Sequence, residues 1–182
     1  MPKNTAKYLG VSLDKTLTYH QHVQDKLRKA YSLMEQLYPL VKNKKMEIRN
    51  KLLTYKTIVR PLITYAAPVW SGAPGYVKRP LQTYQNKWLR LITNSGHTTR
   101  IDTMHENAEI EYISKYIDNI SEKFYRMDRC SEIIQDLTKI RKHNAPFKIK
   151  HKLPYQTLPI FLDKTYKKIT VGAEKRRYDK IH

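Results

Sequence analysis

Catalysis needs particular side chains at particular spacings, and carboxylates are the first to place in this 182-residue chain. Phosphoryl transfer on two metal ions needs clustered Asp and Glu to hold Mg2+ at the reacting phosphate. No Asp-Asp pair occurs in the sequence, and Asp14, Asp25, Asp102 and Asp118 stand singly. Asp14 reads as a turn residue at a strand end. The histidines invite a metal reading and do not support it. His20 and His22 are two apart, so on a helix they face different sides. His97, His105, His143, His151 and His182 are dispersed, and all seven are expected at helix surfaces or in polar loops. The single Cys130 permits no internal disulfide and no cysteine-based zinc site. It reads as a small core or boundary residue rather than a nucleophile. No Gly-x-Ser-x-Gly elbow for a serine nucleophile appears. Self-contained enzyme chemistry is therefore not expected.

Cations are what recur with order. Lys26 and Lys29 neighbour each other at i,i+3 on a first predicted helix. Lys45, Arg49, Lys56 and Arg60 fall at offsets that keep them on one side of a second. Arg79, Lys87 and Arg90 do the same on a third. Each residue alone fits a solvated helix face. Three successive basic stripes with few acids point to repeated phosphates, whose neutralisation releases counterions, with backbone contact and no base readout.

The composition points the same way. The chain carries 35 Lys and Arg against 16 Asp and Glu, a formal net charge of +19. Such an excess favours a polyanionic partner, nucleic acid before an anionic membrane. The charge is uneven: net +14 over residues 1–100, −3 over 101–141 and +8 over 142–182. A 40% hydrophobic share and this length allow one sizeable core. No long apolar h-region opens the chain and no run approaches a membrane span. An intracellular domain, nuclear or cytoplasmic, with no membrane partner is expected.

Helical periodicity must position those cations. Val23, Leu27, Ala30, Met34, Leu37 and Val41 form one amphipathic stripe, with Thr18 as N-cap and Pro39 near the helix end. Ile48, Leu52, Tyr55, Val59 and Leu62 form a second, with a kink or break at Pro61. After a loop at Ser71–Gly75, Val77, Leu81, Tyr84, Trp88 and Leu91 form a third, ending near Asn94-Ser95-Gly96. Thr99 and Asp102 suggest a cap opening a short helix to about Glu109. Ile113, Ile117, Ile120, Phe124 and Met127 make the longest stripe, extended through Ile134 and Leu137. Tyr31, Tyr38, Tyr55, Tyr84 and Trp88 accompany the apolar stripes and are expected in the core, and Trp70 is expected to pin its loop to the bundle. Beyond Arg141, Pro146, Pro154 and Pro159 interrupt the pattern, Tyr166–Val171 could form a short strand, and Tyr155, Tyr166 and Tyr178 are candidates for base stacking. The predicted fold is mainly α. A strand and turn occupy 1–17, a helical bundle 18–141 and an irregular basic tail 142–182.

At the start, Tyr8-Leu9-Gly10-Val11-Ser12-Leu13-Asp14-Lys15 reads as a short strand entering a turn. Followed by His22, a basic helix and Tyr65-Ala66-Ala67-Pro68-Val69-Trp70, it resembles the C-terminal part of the reverse transcriptase of non-LTR retrotransposons, closest to the jockey type of insects. Leu52-Leu53-Tyr55-Lys56, Arg60-Pro61-Leu62 and Gln85, Asn86 and Arg90 extend the likeness, which runs from about Lys7 to Met127. The resemblance implies that the first segment closes a palm subdomain and that the helices after it form a thumb. It implies that Leu9 and Gly10 lie beside a primer terminus, where a glycine without Cβ lets backbone approach. The implied partners are an RNA or DNA template-primer duplex and the palm. Mg2+ would belong to that palm in the whole polymerase, and no cofactor is expected in this chain. The single cysteine cannot build a Cys/His knuckle.

A thumb-containing fragment that binds nucleic acid and does not polymerise alone is the leading expectation. An independent, domesticated helical interaction module and an inert translated remnant stand beside it. Oligomeric state is not legible.

Overall fold

The computed structural model describes residues 5–126. Its first element is a hairpin rather than a lone strand: β1 (Thr5–Tyr8) pairs antiparallel with β2 (Val11–Asp14), Tyr8 opposite Val11. Leu9 and Gly10 form the whole turn, both left-handed at φ 44° and 76°. That is the twist two-residue hairpins favour, but Leu in this region carries a cost that Gly does not.

Asp14 then redirects the chain. Its carboxylate accepts bonds from the Thr16 hydroxyl (2.8 Å), the Thr18 amide (3.0 Å) and hydroxyl (2.8 Å), and the Tyr19 amide (2.8 Å). Burial alone would raise its pKa, yet these bonds outweigh it and hold Asp14 at about 2. The turn reading of Asp14 holds. Tyr19, in the left-handed region at φ 58°, rather than the expected Thr18, is the N-cap of the helix that follows, and Thr18 reaches the His20 amide only at 3.4 Å.

Helix α1 (His20–Lys42) runs through Pro39 instead of ending there. Pro39 is exposed, so the carbonyl it leaves unpaired lies toward solvent, and Val41 beyond it is fully buried. The apolar stripe outweighs the proline. Helix α2 (Ile48–Thr54) passes into a π-helical turn, Tyr55–Val59, and then α3 (Arg60–Ile63). The break expected at Pro61 takes this form. A widened turn, with the Arg60 amide on the Tyr55 carbonyl, makes room for a residue that lacks an N–H.

A short α4 (Ala67–Trp70) precedes α5 (Gly75–Thr93), which Asn94 ends in the left-handed region at φ 52°, two residues before Gly96. Helix α6 (Ile101–Ala108) has Arg100, not Thr99, at its N-cap, and no side chain caps it. The Thr99 carbonyl instead accepts from Arg90 at 3.1 Å. Helix α7 (Ile113–Tyr125) buries Ile113, Ile117 and Ser121, while Phe124 is exposed. The predicted continuation through Met127, Ile134 and Leu137, Cys130 and the whole 142–182 tail lie outside the described residues.

Helices α1 and α5 lie parallel, since His20 meets Tyr76, Ala30 meets Tyr84 and Lys42 meets Asn94 in the same order. Between them and the π-turn lie Tyr55, Tyr84, Trp88 and Trp70, all fully buried. Truncating such an aromatic would cost about 3–5 kcal/mol. Trp70 donates to the Tyr65 carbonyl at 2.9 Å, the expected pin. Tyr38 is solvent-exposed rather than core, and Tyr31 lies at the surface with its ring edge-on to Tyr84 at 5.0 Å. The fold is mainly α with a small N-terminal β-fragment.

Candidate nucleic-acid interface

The hairpin tip and the first turns of α1 bring together the best-organised group of cations. Lys7 faces Ser12 across the hairpin, and both join Gly10, Lys26, Arg28 and Lys29 around a cleft of about 190 Å3. Arg28 is paired with Asp25 at 3.4 Å. Asp25 also accepts from Gln21 at 2.9 Å. Lys7, Lys26 and Lys29 are left without a carboxylate partner among the described residues.

Their mutual repulsion bears on Lys26. Burial lowers its pKa first, and the like charges of Lys29 and Lys7 lower it further. Asp25 also lines the cleft, engaged by Arg28, and raises the Lys26 pKa only in part, so an excess of like charge remains whose cost an anion would recover. The Lys26 ammonium also rests 3.9 Å over the Tyr65 ring, a cation–π contact that fixes its position.

Tyr65 holds the other wall. Its hydroxyl donates to the Leu9 carbonyl at 2.9 Å. A Cβ on Gly10 would stand 3.3 Å from that ring, so glycine is required here by Tyr65 as well as by φ. Leu9 and Gly10 are exposed at this tip, as is Tyr8. His22 supports the floor: buried, near the Trp70 ring at 6.2 Å, its Nδ1 accepts from the Ser12 amide at 3.4 Å. Its Nε2 is buried without a hydrogen-bond partner. Burial lowers its pKa, opposed by the nearby Tyr65 carbonyl. The surface placement expected of the histidines is corrected twice, for His22 and for His105. The second stacks on Tyr112 at 4.1 Å between Gln82, Asn86 and the Ile110 carbonyl.

The remaining candidates do not share this cleft. Lys45 precedes α2, so it belongs to no helical stripe. Arg49 and Lys56 border a separate groove of about 520 Å3 with Ile48, Leu52 and Leu53. Arg60 lies past the π-turn, which shifts the helical register, and its guanidinium sits 4.0 Å over the Tyr116 ring. Arg79 is exposed. Lys87 leans on Tyr31, its ammonium 3.3 Å from the hydroxyl. Tyr31 stands roughly 140° around α1 from Lys26 at 100° per residue. Arg90 holds the α5–α6 loop through the Gly96 and Thr99 carbonyls.

Sequence reasoning missed Lys7. Strand alternation could have found it, because the two-residue turn places it opposite Ser12. Among the described residues no cluster of His, Cys, Asp or Glu could hold a metal, and Asp14 is engaged by its own turn. These residues do not fit a Mg2+ site. No described helix is long and apolar enough to cross a membrane.

The chain is 34% identical over 129 residues to the probable RNA-directed DNA polymerase from transposon X-element of Drosophila melanogaster. It is 32% identical over 126 residues to the probable RNA-directed DNA polymerase from transposon BS of the same species. It is 30% identical over 126 residues to the RNA-directed DNA polymerase from mobile element jockey of Drosophila funebris. These matches cover 69%, 66% and 67% of this chain, and the chain spans 14% of each relative's length. No protein-family model matches the chain, and no solved structure does. Its curated relatives are thus polymerases of jockey-type and related transposons, matched over a minor part of their length.

Proposed function

We propose that the chain acts as the palm-end and thumb portion of a reverse transcriptase of this kind, gripping the phosphate backbone of a template-primer duplex. The observation that carries this reading is the convergence of Lys7, Lys26 and Lys29 on one cleft beside the exposed Leu9-Gly10 tip. Lysines act there as point charges on phosphate oxygens, a contact that positions a duplex and reads no sequence. The β-turn supplies backbone close to the strand, and the parallel α1–α5 pair supplies a rigid support. Polymerisation itself is assigned to residues other than those described, because no carboxylate cluster is present among them.

Fluorescence anisotropy with a labelled DNA–RNA hybrid duplex tests the reading. If about six phosphates are neutralised, log K falls by roughly 5 per tenfold rise in salt. Binding independent of salt, or no binding at low salt, would contradict it.

A second reading has its own observation. Ile48 and Leu53 are each 55% exposed and flank the groove at Leu52, which suits an independent helical module with a protein partner. That module would bind the duplex without a steep salt slope or not at all. A nuclear or cytoplasmic setting is part of both readings.

A further inference from the structure

Helix α2 inverts the usual placement of its residues. It exposes Ile48 and Leu53 to more than half of their surface, yet its one buried residue is Lys51, 8% exposed. Lysine is almost never buried without a partner. The Lys51 side chain makes neither a hydrogen bond nor an ion pair among the described residues. It lines a cleft of about 290 Å3 between the C-terminal ends of α1 and α5, over Val41, Leu91 and Ile92. Lys42 and Lys44 line the same cleft, and no carboxylate does. Lys42 donates to Asn94 at 3.4 Å and complements the C-terminal end of α1, which accounts for one of the three cations. It leaves Lys51 and Lys44 unexplained.

We infer that Lys51, with Lys42 and Lys44, forms a phosphate-binding cleft separate from the one at the hairpin. The two lie at opposite ends of α1: Lys26 and Lys42 are sixteen residues apart, about 24 Å at 1.5 Å per residue. The apolar floor covers the stem of Lys51, and the ammonium at its end is left open to meet an oxyanion in the cleft. The ligand is a phosphate oxyanion, either of a nucleic-acid backbone or of free phosphate. In its backbone form the inference rests on the duplex-binding reading.

Two measurements on the full chain separate the sources. The first compares wild type, Lys51→Met, Lys51→Arg and the double variant Lys42→Gln/Lys44→Gln for hybrid-duplex binding across salt. Lys51→Met should weaken binding several-fold near 0.1 M salt and flatten the slope by about 1, with Lys51→Arg restoring most of both. The double variant, altered only at exposed lysines, should flatten the slope by about 2 and stands in if Lys51→Met does not fold. The second follows the Lys51 resonance of reductively 13C-methylated protein during addition of inorganic pyrophosphate, and expects a saturable shift. Shift without any duplex binding by wild type would keep the cleft and remove the duplex reading. Shift with Lys51→Met binding duplex as wild type does would assign the cleft to free phosphate. Unchanged binding together with an unmoved resonance would overturn the inference.

Discussion

The hydroxyl of Tyr65 donates to the carbonyl of Leu9 at 2.9 Å, tying the tip of the N-terminal hairpin to the turn between α3 and α4. The same ring carries the Lys26 ammonium at 3.9 Å. One side chain therefore holds both the turn that approaches the ligand and a cation that would meet it.

Tyr65→Phe keeps the ring under Lys26 and removes only the bond to Leu9. The bond is exposed, so the cost should be about 0.5–1 kcal/mol. It should be local. Hydrogen exchange at the Tyr8 and Val11 amides should speed up, with the protection of α5 unchanged.

Leu9→Asn probes the turn from the other side. Asn tolerates the left-handed region that Leu occupies here at φ 44°, so the hairpin should gain up to about 1 kcal/mol. Gly10→Ala should lose about 1–2 kcal/mol, since φ is 76° and the new Cβ would meet the Tyr65 ring at 3.3 Å. Thermal melting of both variants checks the pair of opposite signs.

Asp14 predicts an acid limit. Its pKa is near 2 when folded and near 3.8 when not, so the stability it contributes is present above about pH 4 and lost as pH falls toward 2. With solvent screening the amount is about 1–2 kcal/mol. Denaturant titrations from pH 5 to 2 should show that decline in wild type and a shallower one in Asp14→Asn.

His22 acts at milder pH. Burial lowers its folded pKa below the ordinary 6.5, so the unfolded chain binds more protons and stability falls as pH drops below 6.5. Asp25, Lys26 and the Tyr65 carbonyl face it, and protonation would remove the acceptor for the Ser12 amide. His22→Gln should flatten the pH dependence of stability between 7 and 5 relative to wild type.

Much of this arrangement was legible because helical periodicity depends on the chain alone. The stripes at Val23–Val41, Val77–Trp88 and Ile113–Ile117 are the observed core faces. The failures have tertiary causes. Pro39 does not end α1 because Val41 has a buried place to fill. Arg60 leaves its predicted stripe because the π-turn before Pro61 rotates the helix beyond it, a shift that spacing at a fixed 3.6 residues cannot express. Thr99 is not the cap because α6 begins one residue later, with Arg100 at its N-cap. The cleft at Lys7, Lys26 and Lys29 joins a strand to a helix, and only the hairpin turn brings them together.

The grip of this cleft on phosphate is tested most directly by the salt dependence of duplex binding by wild type and by the triple variant Lys7→Gln/Lys26→Gln/Lys29→Gln, both followed by anisotropy with a hybrid duplex. Removing three phosphate contacts should flatten the slope of log K against log salt by about 2.7, at roughly 0.9 per contact. Melting should change little, because relieved like-charge repulsion offsets the lost Lys26 contact with the Tyr65 ring. A triple variant with the wild-type slope would contradict the claim that this cleft grips phosphate.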